Sequence, residues 1–93
     1  MKAIFLTEHG GPEVLQYGDV PEPKTGPLDV KVRVKACSIN RLDIFSREGV
    51  RGTRRNFEKP HVLGEDVAGD VVEVGNDVTI LKPNDRVVIN PIV

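Results

Sequence analysis

Gly64-Glu65-Asp66-Val67-Ala68-Gly69-Asp70-Val71-Val72-Glu73-Val74-Gly75 is the stretch on which the reading of the chain turns. Val71, Val72 and Val74 favour a pleated, half-buried strand. Gly64 and Gly69 lack a Cβ, so they suit places where the backbone bends sharply or another segment comes close. Gly75-Asn76-Asp77 reads as a turn, because Gly and Asn tolerate a positive φ and Asp can bond its own backbone. Glu65 and Asp66 place two adjacent carboxylates at the mouth of this glycine-bounded strand. They read either as a site that uses charge or as an acidic turn leading into a sheet.

Working outward, Lys2-Ala3-Ile4-Phe5-Leu6-Thr7 reads as a first strand, His9-Gly10-Gly11-Pro12 as a turn and Val14-Leu15-Gln16-Tyr17 as a returning strand. Residues 2–18 therefore form a hairpin. Pro21, Pro23 and Pro27 withhold backbone donors, so residues 21–27 are a connecting loop. From Asp29 to Ala36, Val30, Val32, Val34 and Ala36 alternate with Lys31, Arg33 and Lys35. That alternation predicts a strand with one buried face and one cationic, solvated face. The period then changes. Asn40 is a good N-cap, Asp43 three residues on can answer it, and Gly49 is a natural stop, which predicts a two-turn helix with Leu42 and Phe45 on one face. Residues 50–59 are basic and irregular, a mobile surface loop with one exposed-looking aromatic, Phe57. Val78-Thr79-Ile80 continues after the turn at 75–77. Lys82-Pro83-Asn84-Asp85 is a tight turn and Arg86-Val87-Val88-Ile89 a last strand.

The 93 residues fit one small domain, able to bury only about 60–65% of its unfolded surface. Thirteen Lys and Arg against 14 Asp and Glu leave a net charge of −1, which offers no field for nucleic acid or an anionic membrane. The single cysteine, Cys37, cannot form an internal disulfide, and no leader-like segment opens the chain. The expected location is therefore the cytoplasm. No apolar run approaches the ~20 residues that cross a bilayer. Cys37 reads as a small core residue.

Four segments now stand in a telling order: Val34-Lys35-Ala36-Cys37-Ser38-Ile39-Asn40-Arg41-Leu42-Asp43, Pro60-His61-Val62-Leu63-Gly64-Glu65-Asp66-Val67-Ala68-Gly69, Val72-Glu73-Val74-Gly75 and Leu81-Lys82-Pro83-Asn84-Asp85-Arg86-Val87. Together they resemble the GroES-like catalytic domain of the medium-chain dehydrogenase/reductase superfamily, which contains alcohol dehydrogenases and quinone oxidoreductases. The opening Met1-Lys2-Ala3-Ile4 and Gly11-Pro12-Glu13-Val14-Leu15 look like the quinone oxidoreductase and related alcohol dehydrogenase branch. The resemblance implies a mainly β fold, a small bent antiparallel barrel with short helices, here truncated. It also implies a cleft facing a separate dinucleotide-binding domain. That domain's G-x-G-x-x-G fingerprint does not occur in residues 1–93, so they read as a GroES-like catalytic-domain fragment.

The resemblance also assigns residues. Where zinc alcohol dehydrogenases carry a Cys-His (or Arg)-Thr (or Ser)-Asp motif, this chain reads Asn40-Arg41-Leu42-Asp43, and their Gly-His-Glu becomes Gly64-Glu65-Asp66. A carboxamide and a carboxylate thus replace thiolate and imidazole, a poor donor pair for zinc, and Leu42 cannot relay a proton. No metal is expected at this site. The four closely spaced cysteines that hold a structural zinc in some relatives are also missing. The pattern is similar to the zinc-free quinone oxidoreductases, which polarise the acceptor with hydrogen-bond donors. By that resemblance Asn40 lies near the nicotinamide and acceptor and Arg41 at the cofactor's pyrophosphate. Asp43 and Asp66 orient neighbouring groups, and Glu65 stands where the metal-binding imidazole would be. The plainer alternatives are a capping role for Asn40 and Asp43 and an exposed cation at Arg41.

The functional expectation is the substrate-side domain of an NAD- or NADP-dependent alcohol dehydrogenase or quinone oxidoreductase. Its small-molecule substrate is an alcohol, carbonyl or quinone. The chain alone should hold no cofactor and be inactive. A non-enzymatic barrel of the co-chaperonin kind, or an inert remnant, is the alternative, though a basic loop at 50–59 suits neither ring assembly nor an apolar grip. Val87, Val88, Ile89, Ile92 and Val93 make an apolar run with little chain left to cover it, so homo-oligomerisation through a strand edge is expected.

Overall fold

The structure is a computed structural model and describes residues 1–91. Its elements are β1 (Lys2–Leu6), a 3-10 turn (Pro12–Val14), β2 (Gln16–Asp19), β3 (Val30–Cys37), α1 (Arg41–Glu48), β4 (His61–Val62), β5 (Val67–Val74) and β6 (Arg86–Val88). Every strand pair is antiparallel. The chain divides into two compact units.

The first unit comprises Met1–Glu22 and Ile39–Gly64. Its sheet has the order β2-β1-β4, with Ile4 opposite Tyr17 and Phe5 opposite Val62. The hairpin expected over residues 2–18 is present, but its return is different. Val14 and Leu15 do not start a strand: the N–H groups of Val14 and Leu15 donate to the carbonyls of Gly11 and Pro12 at 3.1 and 3.2 Å. Pro12, with φ preset near the helical value, opens that 3-10 turn. β2 begins only at Gln16. The turn buries Val14, which with Leu6 and Val20 makes up the unit's buried apolar set.

The second unit comprises Pro23–Ser38 and the chain from Glu65 onward. Its sheet has the order β3-β5-β6. The β3–β5 ladder slips twice, between Lys31 and Val32 and between Val34 and Ala36. Val72 is the extra residue on β5 and Lys35 the extra residue on β3, so the two slips compensate and pairing resumes at Ala36 and Ala68. These bulges interrupt the alternation that the sequence displays, and β3 is not buried along one clean face. Val34 is 55% exposed, while Lys31 is half-buried and pairs with the Glu73 carboxylate at 3.3 Å. Cys37, expected in the core, is exposed at the last rung of β3 opposite Val67.

Gly69 lies against the backbone of Arg33, and no Cβ fits there. Gly75 does not adopt a positive φ. It is glycine because a Cβ would run into the carbonyls of Gly26 and Pro27. The left-handed residue of the 82–85 turn is Asn84, with φ 77°. No strand forms over 78–80, where Val78 N–H closes a turn onto Gly75 O at 3.1 Å and Ile80 is exposed. On β6 and just after it, Val88 and Ile89 are exposed, and Ile92 and Val93 lie outside the described residues.

Candidate functional site

The proposed site residues fall into two groups, one in each unit. In the first unit Asn40, Arg41 and Asp43 share the opening turn of α1. Asn40 is extended, with φ −129° and ψ 161°, and forms a reciprocal capping box with Asp43. The Asn40 N–H donates to Asp43 Oδ2 at 2.9 Å, and the Asn40 side chain accepts from the Asp43 amide. The sequence dictates this locally, since side chain and amide three residues apart satisfy each other's orphan groups. At the far end Gly49 takes φ 76° and closes onto Phe45 O at 2.8 Å. The box holds Asn40 in one orientation and leaves Arg41 exposed at the positive end of the helix dipole. A guanidinium beside a fixed carboxamide is a donor set that fits an anionic, hydrogen-bonding cofactor.

In the second unit Glu65 and Asp66 are both half-buried just ahead of β5. Asp66 Oδ2 accepts the Ser38 hydroxyl at 2.8 Å, and Asp66 O takes the Ser38 N–H at 3.4 Å. Ser38 is a partner that sequence reasoning did not single out. Among the described residues no group of three or more His, Cys, Asp or Glu side chains is placed to hold a metal ion. The Asp43 carboxylate accepts from the Asn40 N–H and the Asp66 carboxylate from the Ser38 hydroxyl.

A third cluster, in the first unit, surrounds His9. Its Nδ1 lies 3.1 Å from Ser46 O and 3.3 Å from Arg47 O, at the C-terminal end of α1. Its Nε2 accepts the Arg55 N–H at 3.0 Å, and its ring meets Phe57 edge-on at 4.8 Å. Thr53 Oγ1 sits 2.7 Å from Phe45 O, and the Arg51 guanidinium lies 4.6 Å above the Phe45 ring. The segment 50–59 is therefore tied down rather than loose, and Phe57 is half-buried. Nothing in the spacing links His9 to residues 37 and 46 positions away, so the turn reading missed it.

His61 is shifted below the ordinary imidazole value of 6.5, first by burial and then by the Arg55 guanidinium and the His9 ring. Its folded-state value lies below its unfolded one, so the unfolded chain takes up the proton first as pH falls. The stabilisation is complete above about pH 6.5 and is lost on acidification below it. Urea unfolding at descending pH should show a declining midpoint, and His61→Gln should flatten that decline. An unchanged slope in the variant would refute the assignment.

The alcohol dehydrogenase GroES-like domain profile matches residues 26–93. The chain belongs to that family. A quinone oxidoreductase from Pseudomonas aeruginosa is 40% identical over 86 residues, which is 92% of this chain and 26% of that protein. The crystal structure of an NAD-dependent alcohol dehydrogenase superposes with a TM-score of 0.87 at 46% identity, over 98% of this chain and 26% of the other. Escherichia coli quinone oxidoreductase, crystallised with NADPH, gives 0.82 at 35% identity over 95% of this chain and 26% of that one. The chain thus spans about a quarter of the length of these relatives. The mainly β, antiparallel architecture expected from the four sequence segments is that of the GroES-like family.

Within this GroES-like domain the second unit carries an apolar cleft of about 350 Å³, lined by Val30, Val32, Val34, Val67 and Ile89 beside Pro23 to Thr25. A second cleft, of about 260 Å³, lies along Cys37, Ser38, Asp66 and Val88. It brings Asp66 and its Ser38 partner to an open surface. No helix among the described residues is long and apolar enough to cross a membrane.

Proposed function

We propose that the chain is the substrate-side domain of an NAD(P)-dependent oxidoreductase that interconverts an alcohol and a carbonyl, or reduces a quinone, without a catalytic zinc. The observation that carries this reading is the opening turn of α1, where a capping box holds Asn40 in place and leaves Arg41 exposed beside it. Similarity to quinone oxidoreductases and to an NAD-dependent alcohol dehydrogenase supports it.

In this reading Asn40 and Arg41 hold the cofactor, which when bound supplies the hydride. Arg41 neutralises phosphate charge, and its place in the first helical turn adds the favourable dipole. Asn40 orients the reacting end through its carboxamide, whose direction the cap sets. Asp43 acts through Asn40 by closing that cap. In the second unit, Asp66, which accepts the Ser38 hydroxyl, and the adjacent Glu65 are acidic groups that orient their own neighbours. With no metal Lewis acid, polarisation of the acceptor falls to hydrogen-bond donors. The dinucleotide-binding domain comes from sequence other than these residues, so the 93-residue chain is inactive alone.

The test is a chimera in which this chain replaces the matching quarter of the Pseudomonas aeruginosa quinone oxidoreductase. It should reduce a quinone with NADPH, and Asn40→Ala should lower its kcat/KM by about 100-fold. The purified chain alone should show no turnover. Robust activity of that chain, or an Asn40→Ala chimera at full rate, would overturn the proposal.

A further inference from the structure

The His9 cluster has a feature that the proposed reaction does not use. Ser46 O and Arg47 O are acceptors only, so the ring nitrogen facing them, Nδ1, must carry a hydrogen. The Arg55 N–H is a donor only, so Nε2 must be bare. The surroundings therefore select one neutral tautomer, Nδ1–H. Gly10 N–H donates to Arg47 O at 3.0 Å and Arg47 Nε returns a bond to Gly10 O at 3.2 Å, which anchors the backbone next to the ring. A Cβ on Gly49 would lie 2.7 Å from the ring, so the helix end closes against it.

A second proton can enter only at Nε2. It expels the Arg55 N–H, because a protonated nitrogen cannot accept. It does not disturb the contact to Ser46 O and Arg47 O, and a cation at a helix C-terminus is favourable. The charged groups around the ring divide the same way. Arg54 and Arg55 on the segment and His61 on β4 oppose a positive ring. Glu8 on its own segment and Glu48 on α1 favour one, and Arg47 is held by Gly10. The helix side tightens and the loop side gives.

We propose that His9 is a proton-controlled latch: neutral, it ties the segment from Arg54 to Phe57 to the end of α1, and protonated, it lets go of Arg55 while keeping the helix. The segment forms one wall of an open cleft of about 520 Å³, lined by Glu8, His9, Glu48, Arg54, Arg55 and Phe57. Release therefore changes the shape of that cleft. This inference stands on the contacts of His9 alone and is independent of the proposed reaction.

Nitrogen-15 NMR of the full 93-residue chain tests it. While the ring is neutral, Nδ1 should be protonated, Nε2 bare, and a scalar coupling should run across the hydrogen bond from the Arg55 amide to Nε2. Once acid has charged the ring, as its own nitrogen-15 shifts report, the coupling should vanish and Arg55 amide protection should fall about tenfold, while Gly10 amide protection holds. His9→Gln offers a carboxamide oxygen that does not titrate, so Arg55 protection should become independent of pH. An Nε2–H tautomer, or Arg55 protection that persists once the ring is charged, would overturn the latch. So would an unchanged pH response in His9→Gln. The wild-type measurements stand without the variant.

Discussion

Gly69→Ala is expected to cost about 3 kcal/mol or more of folding free energy, a large part of the ~5–14 kcal/mol available to a chain of this size. The added Cβ would overlap the Arg33 carbonyl oxygen and lie 2.9 Å from both the Arg33 carbonyl carbon and Val32 Cγ1. A side chain can swing aside, but a backbone carbonyl within a ladder cannot. Relief requires β3 to withdraw, and the Arg33–Asp70 and Val34–Gly69 rungs go with it. Gly52→Ala is the matched comparison. It has a positive φ of 81° but nothing within 4 Å, so it bears only the left-handed backbone penalty of about 1 kcal/mol. Urea unfolding should place the Gly69→Ala midpoint well below that of Gly52→Ala, and equal midpoints would contradict the close-approach account.

Leu6→Ala is expected to cost about 3 kcal/mol, within the usual range for emptying a buried leucine site. Leu6 has no accessible surface, and among the described residues the first unit has only Val14 and Val20 as further buried apolar side chains. With so small a core, the lost contacts cannot be made up elsewhere. Ile4 lies on the same strand two residues away and is 47% exposed, so Ile4→Ala should cost under about 1 kcal/mol. If the two variants unfold at the same urea concentration, Leu6 is not the centre of that unit's packing.

The features legible from the sequence are those whose partners lie within a few residues. Asn40, Asp43 and Gly49 marked both ends of α1, because capping is settled by amides and carbonyls three or four positions apart. The tight turn at 82–85 was visible for the same reason. Gly69 announced a close approach, and the ordered segments around it resembled the right family. Misreadings came where a local rule met a distant constraint. The alternation of Val30, Val32 and Val34 is real, but compensating bulges at Lys35 and Val72 break the buried face. Val14 has a strand-forming side chain, yet Pro12 draws it into a 3-10 element.

By itself, then, the sequence determined the family, the mainly antiparallel β character, the bounds of α1 and the carboxamide–guanidinium pair at its start. Each of these follows from residue chemistry acting over a few positions or from an ordered set of short motifs. Only the tertiary structure decided that Asp66 is held by Ser38, that Cys37 is exposed, that Gly75 is required by two carbonyls of another segment, and that His9 closes the far end of α1. Those contacts join positions up to 49 residues apart. Hydrogen bonding and steric exclusion act on distance in space, and folding alone sets which distant residues become neighbours.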